Sequence, residues 1–343
     1  VEAARAAGQA QEENRRDVLV LTLAEVARDY IQLRGTQSDL KVTQENLAAA
    51  EDFLRVTQQR SQHGLATELD VASAAAQVSA TRELLPRLEE QEAETLNRLS
   101  FLLGQAPGAL REELAKTEPI PPVPPLVPIG IPSEVVRRRP DIRQAEAQLH
   151  QATANIGVAK ADFYPSITLS GSAGVQALQW SHLGDWGSRQ FALGPVLNLP
   201  LFEGGQLEGA LQLRTAQQQE AAVTYQRTVL KAWHEVDNAL TAYAAEQRRH
   251  DQIELTVRED RRALELAKAR YAGGFVTYLQ VLTAQRDLLT AQRDLVDSEA
   301  TISTNLVSLY KALGGGWEEQ YPDAATRLTT AKPAPGLGTT SGV

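Results

Sequence analysis

The side chains that could do chemistry in this sequence are few and scattered. Five histidines stand at positions 63, 150, 182, 234 and 250. No two are three or four residues apart, so no helix would present a metal-binding pair. Cysteine is absent from all 343 residues, which removes thiol nucleophiles, disulfides and thiolate metal sites. No catalytic constellation emerges, and neither a cofactor nor a metal is implied. The densest run of charge, Arg137-Arg138-Arg139, could hold an anion. Just ahead of Pro140-Asp141 it reads more simply as the charged approach to a helix, paired with glutamate. His234, beside Trp233 on an alanine-rich stretch, reads as packing. Asp70 follows Thr67 at a helix start, where a carboxylate favours the helix dipole.

The elements that carry these residues are long helices. Apolar residues make up 43% of the chain but aromatics only 5%, a composition suited to close-packed helices rather than to a sandwich or doubly wound sheet. With 34 basic against 43 acidic residues the net charge is −9. That argues against nucleic acid as a partner, which would need a basic face. The chain begins with Val1, contains no Met, and shows neither a signal peptide nor a run of eighteen apolar residues. Three expectations follow: a soluble protein, a chain whose start has been removed, or one that crosses a membrane as strands.

An internal repeat organises the chain. At an offset of 210 residues, Arg60, Gly64, Thr67, Leu69 and Val71 match Arg270, Gly274, Thr277, Leu279 and Val281. The match runs without a gap to Leu103-Gly104 against Leu313-Gly314, and twelve of the 45 positions from 60 to 104 are identical. Upstream, Glu25-Val26 pairs with Glu235-Val236 at the same offset. Heptad-like apolar positions (Val18, Leu21, Ile31, Leu40, Leu47, Leu54) with no proline predict one helix from about Ala3 to Gln62. At 1.5 Å per residue it is roughly 90 Å long. A turn at His63–Ala66 precedes a second helix, capped by Thr67, running to about Leu103 and kinked at Pro86. The second copy predicts helices from about Leu207 to Ala272 and from Thr277 to Leu313, joined by a turn at Gly273–Val276. Between the copies, 105–140 is a proline-rich connection, after which Asp141 caps a helix to about Ala161.

The next segment changes period. From Pro165 to Ala177, Ile167, Leu169, Gly171, Ala173 and Val175 alternate with Ser166, Thr168, Ser170 and Ser172. Alternation returns at Phe191, Leu193, Leu197, Leu199 and Leu201, after a loop holding Trp180 and Trp186. Two strands of this kind fit a transmembrane β-hairpin with apolar residues to lipid and aromatics at the interface. They equally fit a soluble hairpin packed on the helices. The membrane reading demands closure by an oligomer, because a lone hairpin cannot seal its edges in lipid.

Four motifs in order carry a resemblance. Arg138-Arg139-Pro140-Asp141-Ile142-Arg143 with Ala145-Glu146-Ala147, the junction Ala154 to Pro165, the junction Leu199 to Gly205, and Tyr310 to Trp317 together resemble the outer-membrane factor family, the TolC-like and NodT-type channels of tripartite efflux pumps. The likeness covers essentially residues 1–320. It implies a mainly α protomer with an internal two-fold repeat, joining a homotrimer in which each chain gives four strands to a 12-stranded barrel. Its segments would be periplasmic helical hairpins at 1–104 and 204–316, an equatorial connection at 105–140, a helix at 141–164, the barrel hairpin at 165–203 and a tail at 317–343, whose end from Pro333 would be disordered.

The resemblance also implies roles. The tips Gly64, Leu65, Ala66, Thr67 and Gly274, Phe275, Val276, Thr277 would dock the hairpins of a periplasmic adaptor (a membrane fusion protein), itself coupled to an inner-membrane RND-type pump. A periplasmic gate would be held by Tyr271–Asp70 hydrogen bonds and an apolar ring at Leu279. Thr283 stands where relatives often carry an acidic ring. Ile167, Leu169, Val175, Phe191, Leu193, Leu197 and Leu199 would face outer-membrane lipid. The implied function is passive conduction through an exit duct in the outer membrane of a Gram-negative bacterium. The second copy has a helix and hairpin before its long helix, and the first does not. A truncated chain is therefore expected, lacking a first hairpin and any lipid-bearing cysteine, and unable to close a pore alone. The alternative function is a soluble periplasmic adaptor or coiled-coil scaffold, which would flank one hairpin with β-rich halves.

Overall fold

The computed structural model describes residues 1–124 and 138–315. Expectations for Arg137, Gly316, Trp317 and the tail from Pro333 fall outside these residues. The described elements are α1 (Glu2–Gln62), α2 (Glu68–Leu102), a short α3 (Arg111–Leu114), α4 (Pro140–Ala161), β1 (Ser166–Val175), β2 (Arg189–Asn198), α5 (Gln206–Ala272) and α6 (Tyr278–Ala312). Two 3₁₀ turns, Trp180–His182 and Trp186–Ser188, lie between the strands. The repeat shows in the lengths, since α2 and α6 each have 35 residues. Pro86 lies inside α2, which continues through it without a break. Asp141 does not cap α4 from outside as expected. Pro140, with no N–H to lose, takes the first helical position, and Asp141 sits in the first turn accepting the N–H of Ile142 at 2.9 Å.

The described residues form two compact units. The first comprises 1–15 and 140–230. In it α4 runs antiparallel to the start of α1, with Arg143 paired to Glu13 at 3.0 Å, Gln144 donating to Asn14 at 3.3 Å and His150 meeting Glu2 at 2.9 Å.

The second unit comprises 16–139 and 231–343 so far as these are described. Here α1 pairs antiparallel with α2 through Asp29–Arg98, Gln37–Glu92 and Glu51–Arg82. α5 pairs with α6 through Glu246–Ser298 and Tyr271–Tyr278. One core cluster joins Ala74 of α2 to Val257, Leu264 and Tyr271 of α5 and to Tyr278, Val281 and Leu288 of α6, with Phe53 and Leu54 of α1 against it. A second gathers Leu33, Leu96, Leu99 and Leu110. Much of the remaining interior is small and hydroxylated. Thr57, Thr81 and Ser100 are buried because each donates its hydroxyl to the carbonyl four residues back, which satisfies the group inside its own helix.

Candidate functional site: the hairpin and the helix tips

β1 and β2 pair antiparallel with Ile167 opposite Leu197, Leu169 opposite Pro195, Gly171 opposite Leu193, Ala173 opposite Phe191 and Val175 opposite Arg189. Directly opposed residues share a face, so this register gathers the apolar side chains on one side. Ser166, Thr168, Ser170 and Ser172 occupy the other side with Asn198, Val196, Gly194 and Ala192. Neither side packs on the helices: every residue of β1 and all but Gly194 of β2 are exposed. Leu169 is 74% and Leu193 81% accessible, which removes the reading of a soluble hairpin seated on the bundle. A contiguous apolar face this open marks a surface meant for lipid or protein. β2 ends at Asn198, so Leu199 lies beyond the strand, as does Ala177 beyond β1. The register also adds Pro195 and Arg189 to the apolar face, and the alternation in the sequence had pointed to neither.

At the other ends of the long helices the two tips have one geometry. Gly64 and Gly274 hold φ of +74° and +75°, the left-handed region that a side chain would strain. In each, the next residue's N–H returns to the carbonyl five back (Leu65 to Arg60 at 2.8 Å, Phe275 to Arg270 at 2.9 Å). The glycine N–H bonds three back, to Ser61 and to Tyr271. This is the glycine-terminated close that satisfies a helix's last carbonyls. Leu65 and Phe275 are exposed to solvent. Such tips offer helix ends and apolar points to a partner.

Beyond the turns the copies diverge. Thr67 and Asp70 form a reciprocal capping box: the Asp70 N–H donates to Thr67 Oγ1 at 3.2 Å, and Asp70 Oδ2 accepts from the Thr67 N–H at 3.0 Å and its hydroxyl at 2.9 Å. Thr277 makes no such side-chain bond. Tyr271 is buried in a ring cluster with Phe53 and Tyr278, at centroid distances of 5.7 and 6.0 Å. Its hydroxyl has no partner among the described residues, so within one chain Tyr271 and Asp70 are not joined. Arg60 reaches across from α1, placing its guanidinium 4.8 Å from the Tyr271 ring centroid and donating to the Ala272 carbonyl at 3.3 Å. Burial, reinforced by Tyr271 and then by Asp70 against the opposing pull of Arg286, pushes the Tyr278 phenol up to about 12. Leu279 is exposed, and Thr283, also exposed, donates back to the Leu279 carbonyl at 2.9 Å.

The sequence matches the family model for outer membrane efflux proteins over residues 1–105 and 131–315. The chain belongs to that family. The unmatched internal stretch, 106–130, falls within the proline-rich connection, and 316–343 lie beyond the match. Outer membrane protein OprJ of Pseudomonas aeruginosa is 34% identical over 319 residues, covering 90% of this chain and 64% of OprJ. The probable efflux pump outer membrane protein TtgC of Pseudomonas putida is 34% identical over 332 residues, covering 94% of this chain and 66% of TtgC. The chain thus spans just under two thirds of these relatives' length. Among solved structures, the outer-membrane channel OprN superposes with a TM-score of 0.83 at 33% identity, covering 92% of this chain and 71% of OprN. The mainly helical, TolC-like fold expected from the motifs is the fold observed.

Arg139 of the arginine run has a structural use. Arg139 is buried, donating to the Ala312 carbonyl at 2.8 Å and to Glu235 at 2.7 Å. It thereby ties the end of α6 to the glutamate that the repeat singles out. Gly35 also has a packing role. A Cβ there would stand 3.3 Å from the Ala300 Cβ, so glycine lets α1 and α6 approach closely. Nearby, Asp39 holds Arg293 through three contacts of 2.9, 3.0 and 3.2 Å. Neither the close approach nor this ion pair leaves a local sequence signature.

Proposed function

We propose that this chain contributes to the exit duct of a tripartite efflux system, conducting small molecules or ions passively from periplasm to exterior. The hairpin carries this reading. Its apolar face is fully open, its strands are long enough to cross an apolar layer when tilted, and it is spliced between helices α4 and α5. No described helix is long and apolar enough to cross a membrane, so the strands are the candidate span. Their unpaired outer edges call for neighbouring strands, since open edges are not sustained in hydrocarbon. A homotrimer closing a 12-stranded barrel, set in the outer membrane of a Gram-negative bacterium with most of the chain in the periplasm, meets that demand. The adaptor-scaffold alternative lacks support among the described residues, whose strands are the one hairpin.

The tips at Gly64–Thr67 and Gly274–Thr277 would dock a periplasmic adaptor coupled to an RND-type inner-membrane pump. Leu279 and Thr283, exposed beside the tip, would face the bore. Asp70 and Tyr271 would hold closure, Asp70 through the cap that fixes the start of α2 and Tyr271 through the ring cluster beneath. The decisive experiment is planar-bilayer recording on the full-length purified protein. Discrete trimer conductances are expected; a protein that stays in solution and never conducts would overturn the duct.

A further inference from the structure

The apolar face of the hairpin carries one cation. Val175 and Arg189 form the last pair before the connecting loop, and every pair behind them on that face is free of charge. Nine residue steps separate this pair from Ser166–Asn198, roughly 30 Å of strand. At the usual barrel tilt that becomes about 23 Å of height, the extent of an apolar band, so Arg189 falls at its edge. The loop lies at the end of the hairpin remote from α4 and α5, which in the duct is the outer leaflet. The guanidinium rests over the Trp186 ring, 4.3 Å from its centroid. That contact holds the cation against an indole of the kind that settles at headgroup level. Leu178, Trp180 and Trp186 of the connecting loop are 107%, 91% and 77% accessible, and the loop's acidic residue, Asp185, precedes Trp186.

We infer that Arg189 and Trp186 form a headgroup site for an anionic, phosphate-bearing lipid of the outer leaflet, an inference that rests on the hairpin spanning the membrane. The guanidinium fork matches phosphate oxygens in geometry and charge, while the Trp186 ring beneath it lies along the start of the acyl chains. Apolar surface alone would accept any lipid; the arginine at the rim is what selects charge.

The test uses the full-length protein with Trp186 as its sole tryptophan, reconstituted in vesicles of phosphatidylcholine mixed with phosphatidylglycerol with one of the two lipids brominated at a time, so that quenching of Trp186 reports the lipid beside it. The expected result is at least three-fold preference for phosphatidylglycerol, falling to equal binding in Arg189→Gln and restored in large part by Arg189→Lys. Ten millimolar inorganic phosphate should leave the preference intact. If Arg189→Gln keeps the preference, or if free phosphate abolishes it, the lipid site is refuted while the membrane hairpin stands. If brominated lipid of neither kind quenches Trp186, the membrane placement itself fails and takes the site with it.

Discussion

Replacing Arg293 by methionine should destabilise the helical unit more than neutralising its partner Asp39. The Asp39 side chain is 10% accessible and that of Arg293 35%, so the two charges are not equally able to find water once left alone. Hydrogen bonding to Asp39 holds the Arg293 guanidinium above its ordinary pKa, opposed by its own burial. Removing the arginine strands a carboxylate among packed helices, a loss of ~3–5 kcal/mol for a fully buried pair. The opening beside Arg293 admits some water, which argues for the lower end, ~3 kcal/mol. Asp39→Asn leaves a guanidinium that can turn outward toward Asp294 and Asp297, which already act on it, so the loss should be nearer ~1.5 kcal/mol. Asp39→Leu combined with Arg293→Met removes both charges and should return to within about 1 kcal/mol of the parent. At about 2–3 °C per kcal/mol, thermal unfolding followed by circular dichroism should show drops of about 6–9 °C, about 3–4 °C and at most about 3 °C respectively. Equal loss in the two single variants, or a double variant as unstable as their sum, would refute the argument that desolvation of Asp39 dominates.

Other outcomes follow from the same structure. Leu169→Arg or Leu197→Arg should impair trimer assembly in membranes by ~2–4 kcal/mol if near the midplane, whereas Ser170→Arg on the opposite face should assemble and alter conductance; equal damage on both faces would undo the assignment. Thr67→Ala should cost the α2 start ~1 kcal/mol and Thr277→Ala distinctly less, because only Thr67 caps with its side chain; hydrogen exchange in the first turn of each helix measures it. The folded Tyr278 pKa of about 12 lies above the ordinary value of 10.0. Its contribution is therefore fully present below pH 10 and lost as pH rises through 12, and Tyr278→Phe should flatten alkaline unfolding over that window by ~2 kcal/mol. For the gate, Tyr271→Leu with Asp70→Ala, which removes the ring from its cluster and the carboxylate from the cap, should raise resting single-channel conductance, Thr283→Ala should change it little, and Thr283→Asp should increase cation selectivity; unchanged closure in the double variant would sink that assignment.

The sequence alone was enough for everything that repeats or alternates along the chain. The 210-residue offset foretold two helices of equal length, found to have 35 residues each, and two tips of one geometry, since Gly64 and Gly274 answer a local demand for positive φ. The period of two placed Leu169 and Leu193 on one face of a hairpin before any register was known. The Thr67-x-x-Asp70 spacing also carried the capping box, although the reading had taken Thr67 as the cap and Asp70 only as favourable to the helix dipole. Where strands stop was less legible: Leu199 continues the alternation, yet pairing ends at Asn198, because a ladder needs a partner as well as a pattern. Only the tertiary structure decided which faces meet. Asp39 finds Arg293 across 254 residues and Arg139 finds Ala312 across 173, while Gly35 meets Ala300. Periodicity states that a helix has a buried side but not whose side covers it. That choice depends on the summed fit of helices distant in sequence, and so does the fate of each lone charge: Arg139 is buried beside Glu235, while Arg189 is left at the open rim of the hairpin.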